Sequence, residues 1–168
     1  MTLLKQKKGE TAVEVMVAGP EHVPAILVLW EELASHHERL DPFYLRCEGA
    51  TGNFEAYIRL CIDSPDSLVL VCLDDDHVIG YANSSIQQHP PVVRCRIYGF
   101  IDNIVVAGTH RRRGAASLML SRTLFWLAER GIDRVELNVS EQNAGGLEFW
   151  RSRGFLDFQR LMYREVPR

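Results

Sequence analysis

The chain has 168 residues, 46% of them apolar and 24% charged, ordinary values for a globular domain with a sizeable core. Its net charge of −3 argues against a general nucleic-acid binder, and no apolar run reaches the length of a membrane span. The four cysteines, Cys47, Cys61, Cys72 and Cys95, form no CxxC pair, so free thiols in a reducing cytoplasm are expected rather than disulfides or zinc.

Met1–Glu10 reads as a flexible polar tail with no secretory character, and residues 11–168 as one domain. Ala12–Ala18 alternates and is β-branched, a strand ended by Gly19-Pro20. Apolar residues at 26, 29, 30 and 33 then recur at helical spacing, and Asp41-Pro42 stops that helix. Asn53–Ile62 is a second short helix. Leu68–Leu73 and Val78–Ile86 flank the acidic turn Asp74–His77 as a hairpin. The stretch from Val92 to Gly108 reads as one long strand bent near Gly99. Gly114–Arg130 is a helix with Gly131 as its stop, "RVELNVS" a strand, Ala144–Arg153 a short helix, and "FLDFQRLMYREV" a closing strand or hairpin. The expected class is α/β (α+β): a mixed sheet of six to seven strands with about four helices, antiparallel early and parallel across the Gly114 helix.

Charge is unevenly spread. Between His110 and Arg134 six arginines face two acids, and between Gly9 and Pro42 seven acids face one arginine. In "THRRRGAAS" three arginines stand before a helix start, where unpaired N–H groups and the helix dipole favour an anion. Gly114, Ala115 and Ala116 let a phosphate approach the backbone, and arginine adds fork-shaped donors. No GxxxxGK[ST] and no GxGxxG is present, which removes the P-loop and the dinucleotide fingerprint. Taken alone, "RRRGAA" also fits a basic surface turn.

"ELNVSEQNAGGLEFWRSRGF" follows one βα unit later. The two segments together resemble the GNAT superfamily, the Gcn5-related N-acetyltransferases. Arg111, Gly114 and Ala116 match the family's Gln/Arg-x-x-Gly-x-Gly/Ala loop. Asn143, Gly154 and Phe155 match its Asn-x-x-Ala-x-x-x-Tyr-x-x-x-Gly-Phe pattern, with Gly146 for the Ala and Trp150 for the Tyr. The order of elements fits from Val13 onward.

The resemblance implies an acyltransferase moving acetyl from acetyl-CoA to a primary amine by direct transfer, without a metal or an acyl-enzyme. The acceptor is a small molecule, or a protein N-terminus or lysine; a non-catalytic acyl-CoA-binding module is the remaining alternative. The cofactor arm would lie along Ile104, Val105 and Val106, and its pyrophosphate on Arg111, Arg112, Arg113, Gly114, Ala115, Ala116 and Ser117. Asn143 would contact the arm, although an Asn at a helix start also serves as an N-cap. Asp102, expected on the same face of its strand as Ile104, is the implied base. The backbone N–H of Val105, or of Val106, is the oxyanion donor. Trp150 stands where the family's Tyr protonates the leaving thiolate, which an indole cannot do; Tyr98, Tyr163 or water would take that part. The acceptor would meet the first two helices, with Glu31, His36 and Phe43 as binding residues. Glu31, Glu32, Glu38 and Asp41 suit a cation, and Trp30, Phe43 and Tyr44 an apolar wall. No metal, nucleic-acid or membrane partner is expected, and family analogy suggests a homodimer through the C-terminal strands.

Overall fold

The computed structural model describes residues 13–166. The tail expected over Met1–Glu10 lies outside the described residues. Two compact bodies result, one up to Asn138 and one from Val139 onward.

The first body is built on a five-stranded sheet in the order β1-β2-β3-β4-β5. The strands are β1 (Glu14–Val17), β2 (Ser67–Asp74), β3 (His77–Gln88), β4 (Ile97–Val106) and β5 (Val135–Leu137). β1 to β4 are antiparallel neighbours, and β5 pairs parallel to β4. The sheet is therefore mixed as expected, with α3 (Ala115–Ala128) as the βαβ crossover. Asp74 pairs with His77 across a two-residue turn, in which Asp75 adopts φ 52°.

Each face of the sheet carries its own core. Leu70, Cys72, Ala82 and Val106 pack with Met119, Trp126 and Leu127 of α3. On the opposite face Val69, Val71, Tyr81 and Val105 meet α1 (Val23–Leu40) and α2 (Ala50–Asp63) through Val23, Ile26, Leu29, Phe54 and Ile58. Burying each such side chain contributes roughly 1.5–3 kcal/mol. Burial holds the Cys72 thiol in its neutral form, its pKa pushed up to about 11. All four cysteines are free.

Several expected boundaries move. The long strand begins at Ile97 and not at Val92, because Pro90-Pro91 turns the chain and Val93 N–H bonds back to Pro90 O at 3.1 Å. The sheet holds five strands among the described residues, fewer than the six to seven expected. The difference lies at the C-terminus, where residues 155–166 form no strand and Leu161, Met162 and Tyr163 are exposed. Their run of apolar and aromatic residues suits a strand, but a strand exists only against a partner ladder. Among the described residues no helix is long and apolar enough to cross a membrane.

The second body holds α4 (Ala144–Ser152). Asn143 caps it, its Oδ1 accepting from Gly146 N–H at 3.0 Å. Gly154 follows with φ 87°, a conformation that favours glycine.

Candidate active site

A β-bulge organises the site. Asn83 pairs with Asn103 and Ser84 with Ile101, so Asp102 is the extra residue of β4. The bulge inverts the strand's alternation. Before it, Gly99 faces α3: a Cβ placed there would stand 2.5 Å from Leu127 Cδ1. After it, Ile104 and Val106 pack on the α3 side, two residues apart but on the opposite parity from Gly99. Asp102 thus lies on the α1/α2 face, as the Gly99 phase dictates, while the bulge moves Ile104 to the α3 side, and the expectation that the two share a face is corrected. The bend also falls three residues later than the Gly99 position expected.

On that face Asp102 Oδ2 accepts from Ser85 Oγ at 3.3 Å. Asn83 Nδ2 donates to Tyr57 Oη at 3.2 Å, and to Cys61 Sγ at 3.7 Å. Burial raises the pKa of Asp102, and the Ser85 and Tyr57 hydroxyls partly counteract it. Burial and the Asp102 charge raise the Tyr57 pKa too, which keeps that phenol a proton donor. A carboxylate with a raised pKa, flanked by a neutral phenol, is a stronger base than an ordinary aspartate and is equipped for proton transfer. Tyr57 was not singled out in the sequence. Its only signal is position: it lies four residues before Cys61, one helical turn away.

Beyond Ile101, β4 has no β5 partner, because the parallel pairing covers only Gly99, Phe100 and Ile101. The strand's β5-side edge is therefore open from Asp102 to Val106. Backbone N–H and C=O alternate in direction along a strand. Ala107 N–H bonds Ile79 O on β3 at 2.8 Å, so Val105 also faces β3, and Ile104 and Val106 face the open edge. The amide facing that edge is thus Val106's, and not the Val105 amide favoured in the sequence reading.

At the end of β4 the chain enters α3 through Arg111–Gly114. Arg112 takes φ 67° and Gly114 φ 90°. Alternation of left-handed with ordinary residues makes successive N–H groups converge, a backbone concavity suited to an anion. Ala115 and Ala116 send their methyls into the α3 core and leave their N–H groups at the helix start. Arg112 and Arg113 are exposed. The Arg111 guanidinium is instead tied into the fold: Nε donates to Val106 O at 3.0 Å and Nη2 to Glu32 Oε1 at 2.8 Å. Glu32 Oε1 also accepts from Gly108 N–H at 3.1 Å, linking α1 to this loop.

A cleft of about 190 Å³ opens beside the bulge, lined by Trp30, Leu33, Ala34, His37, Tyr44, Arg46 and Asn103. Trp30 stacks on Phe54 with 4.5 Å between ring centroids, and His37 stacks on Tyr44 at 5.1 Å. Burial, with the neighbouring His36, lowers the pKa of His37. The cleft thus takes Trp30 and Tyr44 of the expected apolar wall but not Phe43, and His37 where its neighbour His36 is expected. Phe43 is 84% exposed, and Glu31 accepts from Thr51 Oγ1 at 2.9 Å. Helix phase explains the difference: His36 and His37 point about 100° apart. Tyr98 donates to Gln87 Oε1 at 3.0 Å near the start of β4. Tyr163 is 88% exposed in the second body. Trp150, also there, packs edge-on against Phe149 and Phe155, at 5.0 and 5.2 Å.

The sequence signature described as the Acetyltransferase (GNAT) family matches residues 30–155. No curated protein matches this chain in sequence. Among solved structures, a tetramutant of the BH1408 protein of Bacillus halodurans superposes with a TM-score of 0.82 at 20% identity, covering 90% of this chain and 99% of that one. The aminoglycoside 6'-N-acetyltransferase AAC(6')-Ig of Acinetobacter haemolyticus gives 0.73 at 16% identity, covering 91% and 97%. The aminoglycoside N-acetyltransferase AAC(6')-Iy, solved in complex with CoA, gives 0.72 at 16% identity, covering 96% and 99%.

Proposed function

This chain belongs to the GNAT acetyltransferase family, and from that premise we propose that it moves an acetyl group from acetyl-CoA to the primary amine of a small molecule, with residues 11–168 acting as one catalytic domain. The carrying observation is the bulge at Asp102, where a half-buried carboxylate on the α1/α2 face coincides with the end of β5 pairing. The CoA complex of AAC(6')-Iy supports the donor, and the aminoglycoside acetyltransferases support a small amine as acceptor.

The chain's residues suit each requirement of direct transfer. The edge groups of Ile104 and the Val106 N–H, beside the Val106 carbonyl that Arg111 already engages, can pair with the amides of the pantetheine arm as a neighbouring strand would. The converging N–H groups before α3 suit the pyrophosphate, and Arg112 and Arg113 add charge. An alkylamine reaches the site largely protonated, since its pKa is about 10.4. Asp102, directly or through water, takes that proton. The freed nitrogen attacks the thioester carbonyl carbon, and the Val106 N–H faces the edge where negative charge develops on the oxygen. The C–S bond breaks as the C–N bond is completed, the sulfur leaves as a thiolate, and the second proton of the nitrogen passes to water or to that thiolate. A thiol pKa of about 8.5 makes it a tolerable leaving group without the family's Tyr, which Trp150 replaces.

Calorimetric titration with acetyl-CoA, then thiol release with a panel of amines and peptides, tests the reading. Saturable binding and amine-dependent release are expected. Release only with peptides would move the assignment to a protein acetyltransferase. Binding without any release would leave an acyl-CoA-binding module. Gly114→Glu places a side chain and a negative charge at the φ 90° helix entry, and binding is expected to be lost with the fold retained. Retained binding would move the pyrophosphate elsewhere.

A further inference from the structure

We propose that the acceptor is a primary amine carrying one aromatic ring and no second positive charge, with the ring held in the cleft between Trp30, His37 and Tyr44. This rests on the transferase reading above and names its substrate class.

Size is the first argument. The cleft is about 190 Å³, and a cavity of roughly 150 Å³ is enough to take up benzene. One ring and a short chain fill it.

The second argument is the walls. Trp30 and Tyr44 each lie in a stacked pair, so their rings are fixed before a ligand arrives. Fixed aromatic walls favour a flat ligand, at about 0.5–1.5 kcal/mol per ring pair beyond area burial.

Charge is the third. Among the described residues none that lines the cleft is acidic. Its one fixed cation, Arg46, is engaged by Glu38 through Nε–Oε1 at 2.8 Å and Nη2–Oε2 at 3.1 Å, a two-point pair. The neighbouring acids are engaged as well: Glu31 by Thr51, Glu32 by Arg111 and Gly108, and Asp41 by Phe43 N–H. A second ammonium entering this cleft would lose water with no lining carboxylate to receive it. Asn103 lines the cleft and is adjacent in sequence to Asp102, so an amine on a short chain stays near the base.

The experiment compares 2-phenylethylamine, n-hexylamine, spermidine and kanamycin as acceptors with acetyl-CoA, followed by thiol release. We expect kcat/KM for 2-phenylethylamine to exceed that for spermidine and kanamycin on the order of a hundredfold, with n-hexylamine between. Tyr44→Leu should raise KM for 2-phenylethylamine about two- to tenfold and change that for n-hexylamine less. Arg46→Ala should uncover Glu38 and raise activity with spermidine. Equal or better turnover of spermidine or kanamycin by the natural chain overturns the inference, as does parity of n-hexylamine with 2-phenylethylamine. If no amine is acetylated, calorimetry of the same amines against the CoA-saturated protein decides: the ring amine binds tightest, or the inference fails. Absence of CoA binding removes the transferase reading and this inference with it, whereas CoA binding with a preference for polycations removes only this one.

Discussion

Asp102 works against stability and for chemistry. Burial raises its pKa above the unfolded value, so between the two values the folded state binds more protons than the unfolded state. Stability then falls as pH rises through that window, because the folded state must hold a charge in a poorly solvated place. Asp102→Asn removes this cost. The variant is expected to be more stable than the natural protein at pH 7, with the difference closing toward acidic pH, as read by denaturant unfolding across pH. The same change should lower kcat/KM by about 10²–10⁴-fold if Asp102 is the base. An unchanged pH–rate profile would remove it from that role. Tyr57 acts through Asp102. Its hydroxyl favours the charged carboxylate, so Tyr57→Phe should raise the Asp102 pKa further and move the acidic limb of the kcat/KM profile toward higher pH. A merely structural phenol would change stability and leave the limb in place.

Strand β4 is where local irregularity becomes geometry. A regular strand continuing from Gly99 would keep Asp102 on the α1/α2 face but would send Ile104 and Val106 there as well and Val105 into the α3 core. The one extra residue reverses the phase of Ile104, Val105 and Val106 and so separates Asp102 from Ile104. β3 carries a matching irregularity at Ile79, opposite the break between Cys72 and Leu73. It brings Gly80 against β4, and a Cβ there would stand 2.7 Å from Val105 O and 3.1 Å from Met119 Cε. Gly80→Ala must push a backbone oxygen, which a side-chain rotation cannot relieve. We expect a loss of about 1–3 kcal/mol, read as a Tm lower by roughly 2–4 °C per kcal/mol. The loop between β4 and α3 is irregular for a different reason. Arg112 holds a left-handed φ, a conformation that costs a non-glycine residue roughly 1–2 kcal/mol. Strain of this kind persists where the surroundings fix the backbone, and here it aims N–H groups at the helix entry.

For the whole molecule, binding and folding are linked. A ligand that engages only the folded state adds about 2.7 kcal/mol at a hundredfold excess over its Kd. Acetyl-CoA should therefore raise Tm by roughly 5–10 °C for a chain of this size, and thermal unfolding with and without it reads the shift. Arg111 is part of that linkage. It ties α1, through Glu32, to the end of β4 by bonding Val106 O. The residue that matches the family's phosphate motif is thus also a structural clasp. The sequence by itself determined the helix start after the arginines, the hairpin, the parallel step across α3 and the cap at Asn143. Each of these is set by residues near in the chain: glycine and proline stops, alternating apolar residues, and a side chain that reaches its own helix. Only the tertiary structure decided that Asp102 and Ile104 part to opposite faces, which amide of β4 meets the open edge, and that His37, rather than His36, lines the cleft with Trp30 and Tyr44. Tyr57 too came into view only there. The physical reason is pairing. A bulge is defined by the strand across from it, and a pKa by the groups that surround it. The C-terminal segment teaches the same from the other side: its pattern suits a strand, and with no ladder to join it forms none.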